Sequence, residues 1–241
     1  MKLSATQIKI IAIIAMTIDH IAFTAVPYGT AVFFAMRFIG RLTAPLMCFL
    51  LAEGFFYTRS KRKYLLRLLI FSIVSQPFYY CFIFGLKNFN IISMVSNLNV
   101  LFNFVTALTC LMLIENKRIP YLAKAMFIIT LFIISGFCDW TYFIPIWTII
   151  FFVFREKKQK ACYIFSLVSI IFVPLLLLSS FDNYIYFLYN FGVLVAVIPI
   201  LMYNGKHSNK QLTQLKKKIN QYFFYVYYPL HMIIITLVFY K

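Results

Sequence analysis

The sequence predicts an all-α protein, a polytopic bundle of helices that crosses a membrane about nine times. Of the 241 residues, 63% are hydrophobic and only 12% are charged, too few to cover a surface that faces water. Apolar runs of about twenty residues recur along the chain, and each can span a hydrocarbon core ~30 Å thick. We therefore expect a single integral membrane domain over residues 1–241.

The ends of the spans follow from the length of each apolar run and from the proline, glycine and charged residues that interrupt it. In chain order, the spans cover roughly 5–27, 31–57, 63–86, 96–115, 119–137, 141–155, 160–180, 184–203 and 220–240. The connections between them read PYGT, TRSKRK, GLKNFN, ENKRIP, CDWTY, REKKQK, SSFDN and NGKHSNKQLTQLKKK. The fifth and sixth spans are short, and they meet at Cys138-Asp139-Trp140.

The basic residues lie mostly in alternate connections and predict how the bundle is oriented. In a soluble protein, the formal charge of +17 would suggest a nucleic-acid partner, but this distribution is typical of topology signals. We expect a cytoplasmic N-terminus, an outward C-terminus and no nucleic acid, because the outward side then holds only Lys87 and Lys241. The inward side holds Lys2, Lys9, Arg59, Lys61, Arg62, Lys63, Lys117, Arg118, Arg155, Lys157, Lys158, Lys160, Lys206, Lys210, Lys216, Lys217 and Lys218.

Some ionisable residues lie inside the predicted spans, where an unpaired charge costs roughly 2.5–3.5 kcal/mol or more. Such residues usually face the interior of a bundle and take part in function, although a structural ion pair is the alternative. The candidates among them are Asp19, His20, Arg37, Arg41, Glu53 and His231, with Arg67 nearer the inner end of its span.

Depth along the first two spans predicts which of these charges meet. The spans form a hairpin that turns at Tyr28, and Asp19 precedes this residue by as many positions as Arg37 follows it. At about 1.5 Å per residue, both lie ~13 Å below the turn and can pair. Arg41 shares a helix face with Arg37. His20 points about 100° away from Asp19, so the two side chains need not contact the same partner.

Polar residues of the later spans complete the set of candidates. His231 follows Pro229 in the last span, where the proline frees backbone carbonyl groups. Side-chain amides occur at Gln76, Asn99 and Asn204, and each can serve either as an interhelical hydrogen bond or as a substrate contact. The five cysteines are scattered without a CxxC spacing, so we expect no metal site.

Short motifs occur in order from the first span to the last. They are I-D-H (Asp19, His20), G-R-x-x-x-P (Gly40, Arg41, Pro45), A-E-G-F-x-x-T-R (Glu53, Gly54, Thr58, Arg59), Q-P in the third span, N-V-L-F (Asn99, Phe102), Y-N-G-K and Y-P-L-H (Tyr228, Pro229, His231). Through these motifs the chain resembles the TraX family, which takes its name from the conjugal-transfer protein that acetylates pilin. One departure is Ala44, where an aromatic residue often precedes the proline.

The resemblance implies a membrane-embedded acyltransferase of the bacterial cytoplasmic membrane. The family looks distantly related to membrane acyltransferases that use acyl-coenzyme A and tend to keep a histidine in the first span and an arginine in a neighbouring one. It implies transfer of an acyl group, an acetyl group in the family's case, from cytoplasmic acyl-coenzyme A. The implied acceptor is the amine of a pilin-like N-terminus, and other amines or hydroxyls of a peptide, a lipid or a cell-surface glycan remain open.

Acyl transfer needs a base for the acceptor proton and donors for the oxyanion that develops on the thioester. We expect His20 to be the base, Asp19 to orient the site through Arg37, and Arg41 to stabilise the oxyanion or an anionic part of the donor. The basic connections TRSKRK, REKKQK and KHSNK would hold the phosphates of coenzyme A. The expected substrate-binding residues are Arg37, Glu53, Gln76, Asn99, Asn204 and His231.

Two other functions fit the same residues. The first is a proton-coupled transporter or lipid flippase in which Asp19, His20, Arg37 and Arg41 form a relay. Its weakness is that the sequence shows neither an internal repeat nor paired interrupted helices. The second is a noncatalytic assembly partner in secretion or conjugation, which would tolerate the simultaneous replacement of Asp19, His20 and Arg41.

Overall fold

The computed structural model describes residues 2–85, 90–177, 188–205 and 214–239, and their regular structure is α-helical apart from one 3-10 helix. The helices are α1 (Ala5–Ala25), α2 (Ala31–Gly40), α3 (Thr43–Tyr57), α4 (Lys61–Phe84), α5 (Ile91–Ser96), α6 (Val100–Glu115), α7 (Tyr121–Ser135), α8 (Phe143–Val153), α9 (Lys158–Leu177), the 3-10 helix Asn190–Ala196, α10 (Val197–Leu201) and α11 (Gln214–Phe239). The predicted all-α class is therefore confirmed.

Several helices have the length and apolar composition of membrane spans. Within the described ranges these are Ala5–Ala25, Ala31–Tyr57, Lys61–Phe84 and Tyr222–Phe239, and shorter apolar helices accompany them at α6, α7, α8 and Asn190–Leu201. This pattern is that of a multi-pass membrane protein. The count of nine spans and the orientation of the termini stay predictions, since residues 178–187 and 206–213 lie outside the described part of the chain.

Connections that were predicted to lie on one side of the membrane meet at one end of the bundle. The backbone N–H of Asn204 donates to the carbonyl of Leu3 over 2.9 Å, and Lys61 forms an ion pair with Glu115. The first contact joins the N-terminal segment to the connection after α10, and the second joins the connections after α3 and α6. The Tyr57 hydroxyl at the end of α3 links the two pairs by donating to the carbonyl of Gly205 over 3.4 Å. We call this region the basic end of the bundle.

The second predicted span, 31–57, is not one continuous helix. Helix α2 ends at Gly40, and α3 begins at Thr43. The break arises because Pro45 has no N–H to donate and its ring crowds the carbonyl group four residues earlier. Gly40 lies against α1, where an added Cβ would approach Asp19 Oδ1 to 2.2 Å. The two segments together remain long enough to cross a membrane.

Other predicted boundaries change as well. The span predicted over 96–115 begins instead at Val100, because the Asn99 side chain caps the helix by accepting from the N–H of Leu101 over 2.9 Å. The described part of the span predicted over 184–203 is a 3-10 helix followed by α10. Pro199 has no backbone N–H and so removes one hydrogen-bond donor from this helix. Gly192 has no Cβ, and the Phe38 carbonyl oxygen lies 2.1 Å from the place where that atom would be.

The connection between α7 and α8, residues 136–142, is held firmly and is here called the Asp139 loop. The N–H of Asp139 donates to the carbonyl of Leu98 over 2.8 Å. The amide of Asn103 donates to the carbonyls of Asp139 and Thr141 over 2.8 and 2.6 Å. Trp140 and Thr141 have positive φ angles of 62° and 36°, a strained conformation for side chains of this size. These hydrogen bonds fix the loop against the start of α6.

Candidate active site

Asp19 forms the centre of a buried cluster of charges between α1 and α2. Its Oδ2 accepts a hydrogen bond from Arg37 Nη1 over 2.7 Å, and Nη2 of Arg41 lies 3.0 Å from both carboxylate oxygens. The pairing of Asp19 with Arg37, predicted from depth along the hairpin, is therefore present, and Arg41 joins it from the next helical turn. Two guanidinium groups and one carboxylate leave one net positive charge.

Aromatic rings enclose the two arginines of this cluster. The Arg41 guanidinium lies 4.8 Å from the ring centre of Trp140 and 5.3 Å from that of Tyr189, and Arg37 lies 5.2 Å from the Tyr189 ring. Within the described residues, the Nε atoms of both arginines are buried and have no hydrogen-bond partner. The rings therefore hold the cations in place, and the Nε–H of each arginine is left as a donor for another group.

His20 belongs to a second cluster that joins the first span to the last. Its Nδ1 lies 2.7 Å from Nε2 of His231, and Nδ1 of His231 lies 2.9 Å from the carbonyl oxygen of Tyr227. A carbonyl oxygen only accepts, so His231 carries its proton on Nδ1, and its Nε2 is an acceptor when the ring is neutral. His20 must then donate from Nδ1, which leaves its Nε2 unprotonated.

The free nitrogen of His20 is the most reactive feature of this cluster. In the described part of the chain, His20 Nε2 has no hydrogen-bond partner, and the ring packs against Phe82 with centroids 4.8 Å apart. His20 remains partly accessible, whereas His231 is 4% exposed. The sequence predicted that His20 need not contact the same partner as Asp19, and in the structure the two side chains have different partners.

A small chamber of about 40 Å³ lies where the two clusters meet. Asp19 and His20 line it on one side, and Asp139 and Trp140 of the Asp139 loop line it on another. Arg41 is not one of its lining residues, but both Asp19 and Trp140, which contact Arg41, are. The chamber therefore places an unprotonated imidazole nitrogen close to a buried group of charges.

A larger cavity of about 780 Å³ lies towards the basic end. Lys9, Arg59 and Arg67 are among its lining residues, and the Lys9 ammonium lies 5.5 Å from the ring centre of Phe224. The cavity and the chamber share three lining residues, Met47, Phe104 and Phe224, here called the neck. The two cavities therefore lie on either side of the same three apolar side chains.

Comparison with known proteins identifies the family to which the chain belongs. The family model described as TraX protein matches residues 4–239. The chain belongs to the TraX family. It is also 32% identical over 233 residues to a protein of Dichelobacter nodosus named "Probable fimbrial assembly protein FimC, serogroup H1", a match that covers 95% of this chain and 92% of that protein. No solved structure is significantly similar to the chain.

Of the predicted substrate-binding residues, Arg37 and His231 contact the site of this TraX family protein, and four others lie elsewhere. Glu53 pairs with Arg155 over 3.0 Å near the basic end. Gln76 Oε1 accepts from the amide of Asn99 over 2.8 Å, and both side chains also bind backbone groups. Asn204 joins the N-terminal segment. For the amides of Gln76 and Asn99, these contacts favour the interhelical alternative, and their role in substrate binding stays a prediction.

The structure adds residues that the sequence did not single out. Asp139 and Trp140 line the chamber, and the carbonyl of Tyr227 determines which nitrogen of His231 is protonated. The sequence contained an indication of Asp139 and Trp140, because CDWTY places an acid and an indole between two short apolar segments. Among the described residues, no group of three or more His, Cys, Asp or Glu side chains could hold a metal ion.

Proposed function

We propose that this TraX family protein is an acyltransferase of the bacterial cytoplasmic membrane that moves an acyl group from acyl-coenzyme A to an amine or hydroxyl. The observation that carries the proposal is the state of His20. Its hydrogen bond to His231 leaves an unprotonated nitrogen beside a chamber deep in the bundle. A purely structural histidine has little need of an unpaired nitrogen at such a position.

His20 acts as the general base in this proposal. Its Nε2 takes a proton from the attacking amine or hydroxyl while that group bonds to the carbonyl carbon of the thioester. His231 keeps the reactive nitrogen unprotonated in the resting state and accepts from Nδ1–H as positive charge develops on His20. His231 is therefore a positioning residue, and His20 is the catalytic one.

The Asp19 cluster stabilises the negative charge that develops on the carbonyl oxygen. Two arginines and one aspartate leave a net positive charge, and the surrounding aromatic rings keep water away from it. A fixed charge in such a setting acts more strongly than one in water, because no solvent has to reorganise during the reaction. The unpaired Nε of Arg41 is a candidate donor for the oxyanion.

The donor enters from the basic end. The cavity there has a volume within the range of about 300–1,000 Å³ that is usual for small-molecule sites. Lys9, Arg59 and Arg67 supply positive charge for the phosphates of acyl-coenzyme A. Its long, flexible arm would then carry the thioester through the neck formed by Met47, Phe104 and Phe224.

The acceptor is a pilin-like peptide in this proposal. The support is the family itself, associated with pilin acetylation, together with the Dichelobacter nodosus relative, whose name describes fimbrial assembly. A substrate exported through or held in the membrane would meet His20 from the side opposite to the donor. The protein would thereby modify a surface component before its assembly.

Labelled acetyl-coenzyme A tests this function in purified membranes that contain the wild-type protein and a candidate peptide. We expect transfer of label to the peptide, and we expect His20→Ala and His20→Gln each to lower the rate by about 10²–10⁴-fold. Tyr121→Phe is the control, because this ring is 91% exposed on α7, does not line the chamber and lies in none of the basic connections assigned to the donor. Full activity in both His20 variants would remove the base assignment.

The same preparation distinguishes the enzyme from a carrier. Uptake of a solute into proteoliposomes under a proton gradient, without transfer of label to any acceptor, would support the transporter or flippase. Loss of transfer in the His20 variants, without any change in proton flux, would support the acyltransferase. Wild-type behaviour after simultaneous replacement of Asp19, His20 and Arg41 would favour a noncatalytic assembly partner.

A further inference from the structure

Two side-chain hydrogen bonds connect α1 to α11, one helical turn apart. One joins His20 to His231 over 2.7 Å and belongs to the site already described. The other joins the hydroxyl oxygens of Thr17 and Tyr227, which lie 2.6 Å apart and are here called the hydroxyl pair. Thr17 precedes His20 by three residues and Tyr227 precedes His231 by four, so the two contacts lie on one face of each helix.

The direction of the hydrogen bond within the hydroxyl pair is fixed. The Thr17 hydroxyl donates to the carbonyl of Ile13 over 2.9 Å. A hydroxyl has one proton, so the Thr17 oxygen accepts from Tyr227, and the Tyr227 hydroxyl is the donor. The Tyr227 ring is therefore attached to α11 through its Cα and to α1 through its hydroxyl, which holds it at both ends.

Tyr227 in turn contacts His231 at two points. Its carbonyl oxygen accepts from His231 Nδ1 over 2.9 Å. Its ring lies against the imidazole with the ring centres 5.1 Å apart and the planes within 5° of parallel, as in an offset stack. Because the hydroxyl pair fixes the tilt of the Tyr227 ring, it also fixes the surface against which the imidazole of His231 rests.

A groove of about 250 Å³ gives His231 room to turn away from His20. Thr17, Tyr227 and His231 line it together with six apolar side chains, which are Ile21, Leu230, Ile234, Ile235, Val238 and Phe239. An imidazole of His231 turned into this groove would no longer accept from His20 Nδ1–H. The Tyr227 ring, held in place by Thr17, opposes that turn.

We propose that Thr17 and Tyr227 are positioning residues for acyl transfer: their hydrogen bond holds His231 against His20 and so keeps His20 Nε2 unprotonated. This inference rests on the proposed acyltransferase function and adds two residues to it. Neither residue lines the chamber, so neither acts on the reacting atoms. Without the hydroxyl pair, the single proton of the neutral His20 ring would be shared between its two nitrogens, and the reactive tautomer would become less populated.

The tautomer of His20 can be measured without any substrate. When the histidines are labelled with ¹⁵N and the protein is held in detergent at neutral pH, the imidazole signals distinguish a protonated from an unprotonated nitrogen. The chain has three histidines, and the variants His20→Gln, His207→Gln and His231→Gln assign their signals. This measurement reports on positioning alone, whereas the rate of transfer from labelled acetyl-coenzyme A reports on the reaction.

Two substitutions remove the hydroxyl pair and two others are matched to them. Thr17→Val and Tyr227→Phe each remove one hydroxyl and nearly preserve the shape of the side chain. Thr17→Ser keeps the hydroxyl and should restore wild-type behaviour. Thr236→Val is the control, because this hydroxyl of α11 donates to the carbonyl of Met232 in its own helix over 2.8 Å. Thermal unfolding of each variant in detergent reports on stability.

We expect His20 to be protonated at Nδ1 alone in wild type, Thr17→Ser and Thr236→Val, and to be a mixture of tautomers in Thr17→Val and Tyr227→Phe. In the last two variants kcat should fall about three- to tenfold, while KM for the donor changes by at most about twofold. The double variant should lose no more than the more affected single variant, because both substitutions break the same hydrogen bond.

Wild-type tautomers of His20 in both Thr17→Val and Tyr227→Phe would overturn the inference, even if the variants unfold at a lower temperature, because the hydroxyl pair would then be merely structural. Additive losses of kcat in the double variant would overturn it as well. Failure of the proposed function has a different signature. In that case wild type transfers no label to any acceptor, although the tautomer of His20 still responds to the two substitutions.

Discussion

Asp19 and His20 are neighbours in the sequence, but their side chains belong to two regions that are assembled in different ways. Asp19 meets an arginine 18 residues away, across one hairpin, whereas His20 meets a histidine 211 residues away, on the last helix. The first contact needs only a tight turn and matching depth. The second needs the whole chain to close around α1. The contact between adjacent helices therefore forms the Asp19 cluster, and the contact between the first and last helices forms the His20 cluster.

The two regions also differ in how completely their polar groups are paired. Both oxygens of Asp19 accept hydrogen bonds from arginines, and this favours a role in holding α1 and α2 together while the charge cluster acts on the reaction at a distance. His20 is held at one nitrogen and open at the other. Substitutions in the first region should therefore affect folding most, and substitutions in the second should affect the rate.

The largest expected effect on stability is at Asp19. Asp19→Asn leaves two buried arginines without a counter-charge, which should lower the free energy of unfolding by about 3–5 kcal/mol. Thermal unfolding in detergent measures the loss. A triple variant that adds Arg37→Met and Arg41→Met should recover much of it, because no buried charge is then left unpaired. A wild-type melting temperature for Asp19→Asn would show that the cluster does not stabilise the hairpin.

A smaller effect is expected at His231, which orients the reactive ring. His231→Phe removes the acceptor for His20 Nδ1–H, so the tautomer is no longer fixed and the rate of acyl transfer should fall by about tenfold or more. His231→Gln offers a side-chain oxygen to the same donor and should lose less. The rate with saturating donor is the measurement. Equal rates for the two variants would argue against control of the tautomer.

The smallest effect is expected for the ion pair at the basic end. Lys61 and Glu115 form this pair with side chains 31% and 47% exposed, so water screens their attraction. Lys61→Met should change the free energy of unfolding by roughly 0–1 kcal/mol, and Glu115→Gln should do the same. If either substitution destabilised the protein as much as Asp19→Asn does, burial would not determine how much an ion pair contributes to the stability of this protein.

Some of the site was predictable from the sequence because helical geometry is regular. Depth along a hairpin depends only on residue count, which is how the pairing of Asp19 with Arg37 was predicted, and the i, i+4 spacing brought Arg41 to the same face. The different direction of His20 followed from the same geometry. Composition also predicted the helical membrane fold, because a bilayer leaves few ways to satisfy the backbone.

What the sequence could not predict is which distant segments come into contact. No pattern in the last span identifies His20 as the partner of His231, since that distance depends on how every intervening helix packs. The break between α2 and α3 has a local cause at Pro45, but its consequence depends on the fit of Gly40 against Asp19. Gln76 and Asn99 proved to bind each other and the backbone, and residue type alone could not decide this.

By itself, the sequence determined that the protein folds in a lipid bilayer and that it is all-α. It also determined which charged residues must be buried together. These features follow from the cost of placing polar groups in hydrocarbon, and that cost acts on each segment separately. Only the tertiary structure decided which nitrogen of His20 is free, which partners Asp19 binds and which side chains separate the two cavities. Those properties depend on distances of a few ångströms between segments far apart in the chain, and packing alone sets such distances.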